Sequence, residues 1–380
     1  MPDIRFQIAV NRELDNDLTA DAAEIEVQQT IEGPTTFRVR FAVDICGADM
    51  RLLEDERLQP SDPDTEITVL AILNGVTYVL SHGVIAERQV SLAPGGPGSY
   101  LEIRGKDRRV VMDREQRNAS HSGTAADIVT PILSRYGFEA DVADTPIEYD
   151  ENSTTLNQTE TDLAFVDQLA GRSDVRFWID WSAENGLAGF EVTETAHFKP
   201  SPPRSSLPGP LGGLSIPILA PDSPPELRLN SGDGCANVAS FEVSSNAEAP
   251  TGSGPIERVA PDTGEVDETE TPAATTEPLG SAASGSQART RRVVSAGSAQ
   301  EAQLRTQAAL NDASWTVQAT AETSVHALNG ILAAHQTVRV SGGGSLNSGN
   351  YFIKSVTHAI DASDHKMRLE LMRNGLGAAS

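Results

Sequence analysis

The chain has 380 residues, of which 29 are basic and 54 acidic, for a formal net charge of -25. That length supplies two or three domains with cores of their own. That charge excludes a general binder of nucleic acid or anionic membrane, which needs a positive face, and leaves either plain solubility or a negative surface or lumen that repels acidic cargo.

The start, Met1-Pro-Asp-Ile-Arg, carries no basic and apolar leader, so no signal peptide is expected. No apolar run approaches the roughly 18 residues that span a bilayer. The first hundred residues read as strand and turn throughout. Ile4, Phe6, Ile8 and Val10 alternate with polar or small residues, as do Phe37, Val39, Phe41 and Val43. Ile67, Val69 and Ala71 lead to Asn74-Gly75, a type I′ hairpin signal because both residues tolerate positive φ. Val76 to Leu80 runs back, and Leu101 and Ile103 close the region. Six or so short strands suggest a small barrel or sandwich.

From about residue 111 the period changes. Thr124-x-x-Asp127 predicts a capping box opening a helix, with Ile128, Ile132, Leu133 and Tyr136 on one face, Pro131 kinking or shortening it, and Gly137 as the stop. A second helix is predicted from Thr159-x-x-Asp162 to Gly171, burying Leu163, Val166, Leu169 and Ala170, followed by a strand over 175–181. Lys199 to Pro225 is a Pro/Gly/Ser connector. Strand character resumes over 226–244. Residues 249–292 hold almost no large apolar side chains and predict a disordered or peripheral acidic loop. Ser298-x-x-Glu301 caps a third helix with Leu304, Ala308 and Leu310, and a β region runs to the end. Its last pair of strands alternates strictly, with Met367, Leu369 and Leu371 on one face and Arg368 and Glu370 on the other, which marks a half-buried antiparallel pair.

No enzymatic motif emerges. His82, His121, His197, His326, His335, His358 and His365 are scattered without a zinc spacing, and they read as surface or strand-end residues, although His358 and His365 can meet across neighbouring strands. Asp44, Asp49, Glu54, Asp55 and Glu56 evoke a carboxylate pair but have no aromatic platform nearby, so they read as a solvated loop. Asn230 to Gly234 lacks the alternating oxygens of a calcium loop, and Gly342-Gly-Gly-Ser345 lacks the Lys-Ser/Thr of a phosphate loop; both read as turns. Cys46 and Cys235 form no metal-ligand spacing and no disulfide framework. Trp178 and Trp181 fall on opposite strand parities, one for the core and one for an interface. No catalytic, cofactor-binding or metal residue is assigned.

Two segments carry a family resemblance. The end reads Tyr351-Phe-Ile-Lys-Ser-Val-Thr-His358 and then Arg373-Asn374-Gly-Leu-Gly377; the middle carries Gln158-Thr-Glu160-Thr-Asp-Leu-Ala-Phe165-Val-Asp-Gln-Leu169. Together with the order of elements, they resemble the late-control protein D family of phage tails, the baseplate hubs of contractile tails and relatives of the hub part of type VI secretion spikes. The resemblance implies an α+β, β-rich fold with two barrel-like antiparallel tube-type domains flanking an α/β middle domain. The corresponding division is 1–110, 111–222, and 223–248 with 293–380, leaving 249–292 as the loop. It further implies a homotrimer that joins a sixfold inner tube, or tube-initiator protein, to a threefold central spike, with baseplate wedge proteins as further neighbours. Only Leu376 to Ser380 follow the Arg-Asn-Gly region, so the spike is expected to be a separate protein. No nucleic-acid site, membrane contact or cofactor is implied, and assembly is expected in the cytoplasm. The competing class is a secreted β-rich glycan-binding or hydrolytic protein.

Overall fold

The computed structural model describes residues 3–45, 50–60, 65–93, 98–145, 147–149, 156–186, 189–201, 224–230, 236–245, 256–259, 264, 266–269, 278–280, 282–283 and 299–377. Cys46, Cys235, Asp49, Ser298 and most of the Pro-rich connector lie outside them.

The first region contains β1 (Ile4–Val10), β2 (Ala22–Thr30), β3 (Thr36–Ala42), β4 (Glu66–Leu73), β5 (Val76–Ser91) and β6 (Tyr100–Asp107). The alternating apolar residues bury together: Ile8, Val27, Val39, Phe41, Ile67, Val69, Leu101 and Ile103 share one core. Asn74 and Gly75 both have positive φ, +51° and +82°, as the tight turn between β4 and β5 requires. Gly105 is needed for another reason. A Cβ there would lie 2.1 Å from the Phe37 ring, which crosses its strand. The region is not all strand and turn, however. A six-residue helix, α1 (Asn16–Asp21), starts where Asp15 accepts a hydrogen bond from the Leu18 amide at 2.9 Å, and it buries only Leu18. One buried residue leaves no helical period to detect. β5 also runs well past Leu80, because Glu87, Arg88 and Gln89 continue the ladder with polar side chains.

In the middle region, α2 (Ala125–Arg135) opens with the predicted capping box. It continues through Pro131, which sits on the solvent face, where water can serve the carbonyl left without an amide partner. The second helix, α3 (Asp162–Arg172), begins later than predicted, with Thr161 as its cap. Asp162 is fully buried and accepts from Arg135 (2.6 Å), Tyr136 (2.7 Å) and Gln158 (2.8 Å), so a tertiary network fixes the start. The helix passes through Gly171 to Arg172 and is capped by Ser173. β7 (Glu139–Val142), β8 (Arg176–Gly186) and β9 (Gly189–Lys199) form a small sheet in the order β7-β9-β8, with β7 parallel and β8 antiparallel to β9. Both helices pack on it in a second core containing Ile132, Phe165, Leu169 and Phe198. Trp178 is buried and Trp181 half-buried against the same core.

The last region comprises β10 (Glu226–Arg228), β11 (Ser240–Ser245), the hairpin β12 (Ile256–Val259) with β13 (Val266–Thr269), β14 (Ala282–Ala283), α4 (Ala299–Ala313), β15 (Val317–Ser324), β16 (Thr337–Ser341), β17 (Gly349–Asp361), β18 (His365–Arg373) and β19 (Gly375–Leu376). Met367, Leu369 and Leu371 are buried in its core, and Arg368 and Glu370 point outward. The connection after β16 holds one helical turn, Gly344–Asn347, as well as the glycine bend. Within 249–292, β12, β13 and β14 are all paired, so that segment is not irregular throughout.

One sheet of thirteen strands unites the first and last regions, in the order β11-β15-β18-β17-β2-β3-β6-β5-β4-β1 followed by the two-residue strand Glu13–Leu14, with β16 pairing to β17 and β10 pairing to β16. Among the described residues no barrel closes. This corrects the expectation of two barrel-like units. β17 bonds on one edge to β18 and on the other to β2, from Ser355↔Thr30 to Asp361↔Glu24, so the two β regions are continuous.

Candidate functional site: buried polar nodes and the charged sheet face

The histidines are mostly interior, against the surface reading. His358 and His365 meet across β17 and β18 at 3.0 Å, both buried. Burial pushes His365 down to about 4 and His358 well below its ordinary value. His82 is fully buried, 2.8 Å from the Thr68 hydroxyl, and burial lowers it to about 4. His121 stacks on Phe165, and His326 is exposed. Among the described residues, no group of three or more His, Cys, Asp or Glu side chains is placed to hold a metal. Asp55 pairs with Arg57 at 2.7 Å, while Asp44, Glu54 and Glu56 are exposed, so among the described residues the acidic loop forms no carboxylate pair in a cleft.

A node at the edge of β8 and β9 joins the middle and last regions. Trp178 stacks on His335 with ring centroids 4.1 Å apart and donates to Asp180 at 3.1 Å. His197 lies between Asp141 (2.7 Å) and Asp180 (3.2 Å), and Lys199 also reaches Asp141. His335 has a φ of +65° and lies 2.8 Å from the Ser201 hydroxyl; burial pushes it down to about 3. The positive φ is costly for a non-glycine residue and persists because the ring is packed between Trp178 and Phe352.

Two adjacent arginines join the first and middle regions. Arg108 bridges Glu66 (3.2 Å) and the buried Glu194, whose carboxyl is raised by burial. Arg109 is buried and donates to Asp107 (2.9 Å), the Phe177 carbonyl (3.1 Å) and the Gly33 carbonyl (2.5 Å). The outward face of β2, β3 and β6 carries interleaved charges. Arg38 contacts Glu24 (2.8 Å) and Glu26 (3.1 Å), and buried Glu102 takes contacts from Arg38, Arg40 and Arg104. Burial works to raise Glu102, but its arginine hydrogen bonds hold it below the ordinary carboxylate range. This face is charge-compensated, so the excess of acid resides elsewhere.

The Arg-Asn-Gly segment is a clamp. Arg373 is fully buried. Its guanidinium donates to the carbonyls of Leu279 (3.0 and 3.2 Å), Ser348 (3.2 Å) and Gly377, and it lies over the Tyr351 ring at 5.3 Å. Asn374 accepts from the Leu279 amide at 2.7 Å, and β14 pairs with β19. Sequence reasoning singled out these residues as a motif but gave them no role. It missed Arg108, Arg109 and the Trp178 node, because no local pattern marks a side chain whose partners are distant in the chain.

No protein-family model matches the chain, and no curated protein matches it. Solved structures do. The chain is similar to the tail protein from Neisseria meningitidis MC58, at 12% identity over 99% of each chain with a TM-score of 0.62. It is similar to the 43 kDa tail protein of prophage MuSo2 from Shewanella oneidensis, at 10% identity over 98% of this chain and 99% of that one, with a TM-score of 0.59. A third similar structure is the E. coli c3393 protein, a component of the type VI secretion system with structural similarity to T4 bacteriophage tail proteins gp27 and gp5; it is 13% identical over 100% of this chain and 79% of that one, with a TM-score of 0.50. The chain therefore has a fold related to those of phage tail proteins, along nearly its whole length.

Proposed function

We propose that this protein is a structural hub of a contractile phage tail or of a phage-derived injection system. Three copies form a ring that joins a sixfold inner tube to a threefold spike. The fold shared end to end with two tail proteins is the observation that carries this reading. The architecture supports it: each copy contributes two β regions, here joined in one sheet, so three copies present six β regions to a sixfold tube. In this reading residues 1–110 are the first hub domain, 111–222 the middle domain, and 223–248 with 293–380 the second hub domain. Matching one symmetry to another requires complementary surfaces and a closed interface, with no catalytic group. The polar, charge-balanced outer face of β2, β3 and β6 suits a surface that stays wet. Native mass spectrometry of the chain co-expressed with a spike protein from its own gene neighbourhood tests the proposal. Three copies of each are expected. A stable dimer, or no complex with the spike, overturns it.

A further inference from the structure

The middle region docks on the thirteen-stranded sheet through polar groups. Among the described residues its apolar core takes no side chain from that sheet, and the cores of the sheet take none from 111–201. An open cleft of about 410 Å³ enters the seam, walled by the turn Ile31–Pro34, by α3 and by the end of α4 with Trp315. α4 is itself tied to the middle region, where Arg176 pairs with Asp312 (3.0 Å) and Asp174 accepts from Asn311 (2.7 Å). The two nodes described above cross the seam, and each involves a histidine from the sheet side. His335 carries Trp178 on its face, and His82 lies 3.5 Å from Glu66, the carboxylate that holds Arg108.

The two rings are placed alike. Each has Nδ1 at 2.8 Å from a hydroxyl, of Ser201 or of Thr68, and a buried Nε2 with no hydrogen-bond partner among the described residues. A neutral ring suits that setting with its proton on Nδ1, donated to the hydroxyl. A second proton puts an N–H on Nε2 with no acceptor. Around His335 stand Asp180 and Arg176 from β8, His197 from β9, and Arg109, while β17 contributes the uncharged Phe352 ring. Of these, Asp180 favours a charged ring, and it already takes His197 and Trp178. Around His82 stand Glu66, Arg12 and Arg108, and Glu66 is shared between the two arginines at 3.1 and 3.2 Å.

We infer that these two histidines make the docking of the middle region a proton-operated latch: acid frees that region from the sheet while both stay folded. Docked, the rings stay neutral down to about 4 for His82 and about 3 for His335, because burial disfavours their charge. Undocked, both meet water and regain an ordinary value of about 6.5. Below that value the undocked form binds more protons, so undocking gains up to about tenfold per pH unit for each histidine, until the docked ring itself titrates. His358 and His365 pair inside the sheet and bear on its own stability instead. The latch belongs to the single chain and does not rest on the hub reading.

The chain's three tryptophans report on three places: Trp178 on the seam, Trp181 on the middle core, and Trp315, against Phe352, on the sheet. The full-length chain is labelled with 5-fluorotryptophan and followed by fluorine NMR from about pH 7 to about pH 4.5, with far-UV circular dichroism as the measure of folding. Trp178 should pass to a solvent-exposed signal at unchanged dichroism, with Trp181 retained. The undocked-to-docked ratio should rise by up to about a hundredfold per pH unit. His335→Asn, which tolerates the positive φ, and His82→Gln should each remove about tenfold of that slope. Trp178 docked throughout, all three tryptophans and the dichroism changing together, or an unchanged slope in both variants overturns the proposal. Where a variant does not fold, the imidazole proton signals of the unaltered chain decide: His82 and His335 must gain their protons together with the Trp178 change, and protonation of either while Trp178 stays docked overturns it.

Discussion

Arg373→Lys keeps the charge of the C-terminal clamp and removes its geometry. The native guanidinium has no carboxylate partner among the described residues; it is held by carbonyl oxygens from three separate segments, Leu279, Ser348 and Gly377. Lysine offers three donors from a single nitrogen, where arginine offers five in a planar fork. An ammonium there cannot meet all three carbonyls, and at least one is left bare. Each unmet buried acceptor costs about 1–3 kcal/mol, and the weaker contact with Tyr351 costs about 0.5–1 kcal/mol. The sum is a loss of about 1.5–4 kcal/mol, read as a lower urea midpoint at unchanged slope. Hydrogen exchange should rise first at Leu279 and at the β14–β19 pairs, before the main sheet responds. A variant within about 0.5 kcal/mol of the parent, with unchanged exchange at Leu279, would refute the reasoning, because water would then be serving those carbonyls.

Leu369→Asp should abolish folding, since it replaces about 1.5–3 kcal/mol of apolar burial with an unpaired buried carboxylate, whereas Glu370→Gln on the outward face should be tolerated; soluble yield and melting temperature check both, and the opposite ranking would reverse the assignment of faces. Stability should fall between pH 6.5 and 5, above the carboxylate range. His82 and His365 are lowered to about 4 and His335 to about 3, so the unfolded chain takes up protons first as the pH drops; each contributes up to about 2 kcal/mol of loss by pH 5, and a flat urea midpoint over that window would refute it. Thr124→Ala should cost about 1 kcal/mol by removing the acceptor for the Asp127 amide, seen in thermal melts.

Local rules were read correctly where local physics decides. The alternation through Met367, Leu369 and Leu371, the Asn74-Gly75 turn and the Thr124 capping box all have their causes within a few residues. The start of α3 was misread because Asp162 answers to Arg135, Tyr136 and Gln158 and not to its own first turn. The interior histidines were misread because single-residue polarity predicts exposure, while pairing across strands makes burial tolerable. The cleft was invisible for the same reason: its walls come from residues near 33, 167 and 312. Nothing in either partner's sequence announces the β2–β17 register.

That register also dictates an order of events as the chain is made. Residues 24–30 leave the ribosome long before their partners at 355–361. At synthesis rates of about 5–20 residues per second, the free edge of β2 waits roughly 20–60 seconds for β17. Through that interval the edge bears unpaired amides and carbonyls, a template for pairing with the wrong chain. The outward row of Glu24, Glu26 and Gln28 is polar, so on that face the waiting strand offers a second nascent copy no apolar surface on which to zip. Arg38 and Arg40 on β3 follow within about 1–3 seconds and pair with that row, so the β2–β3 face can be charge-compensated long before β17 arrives to cover the edge.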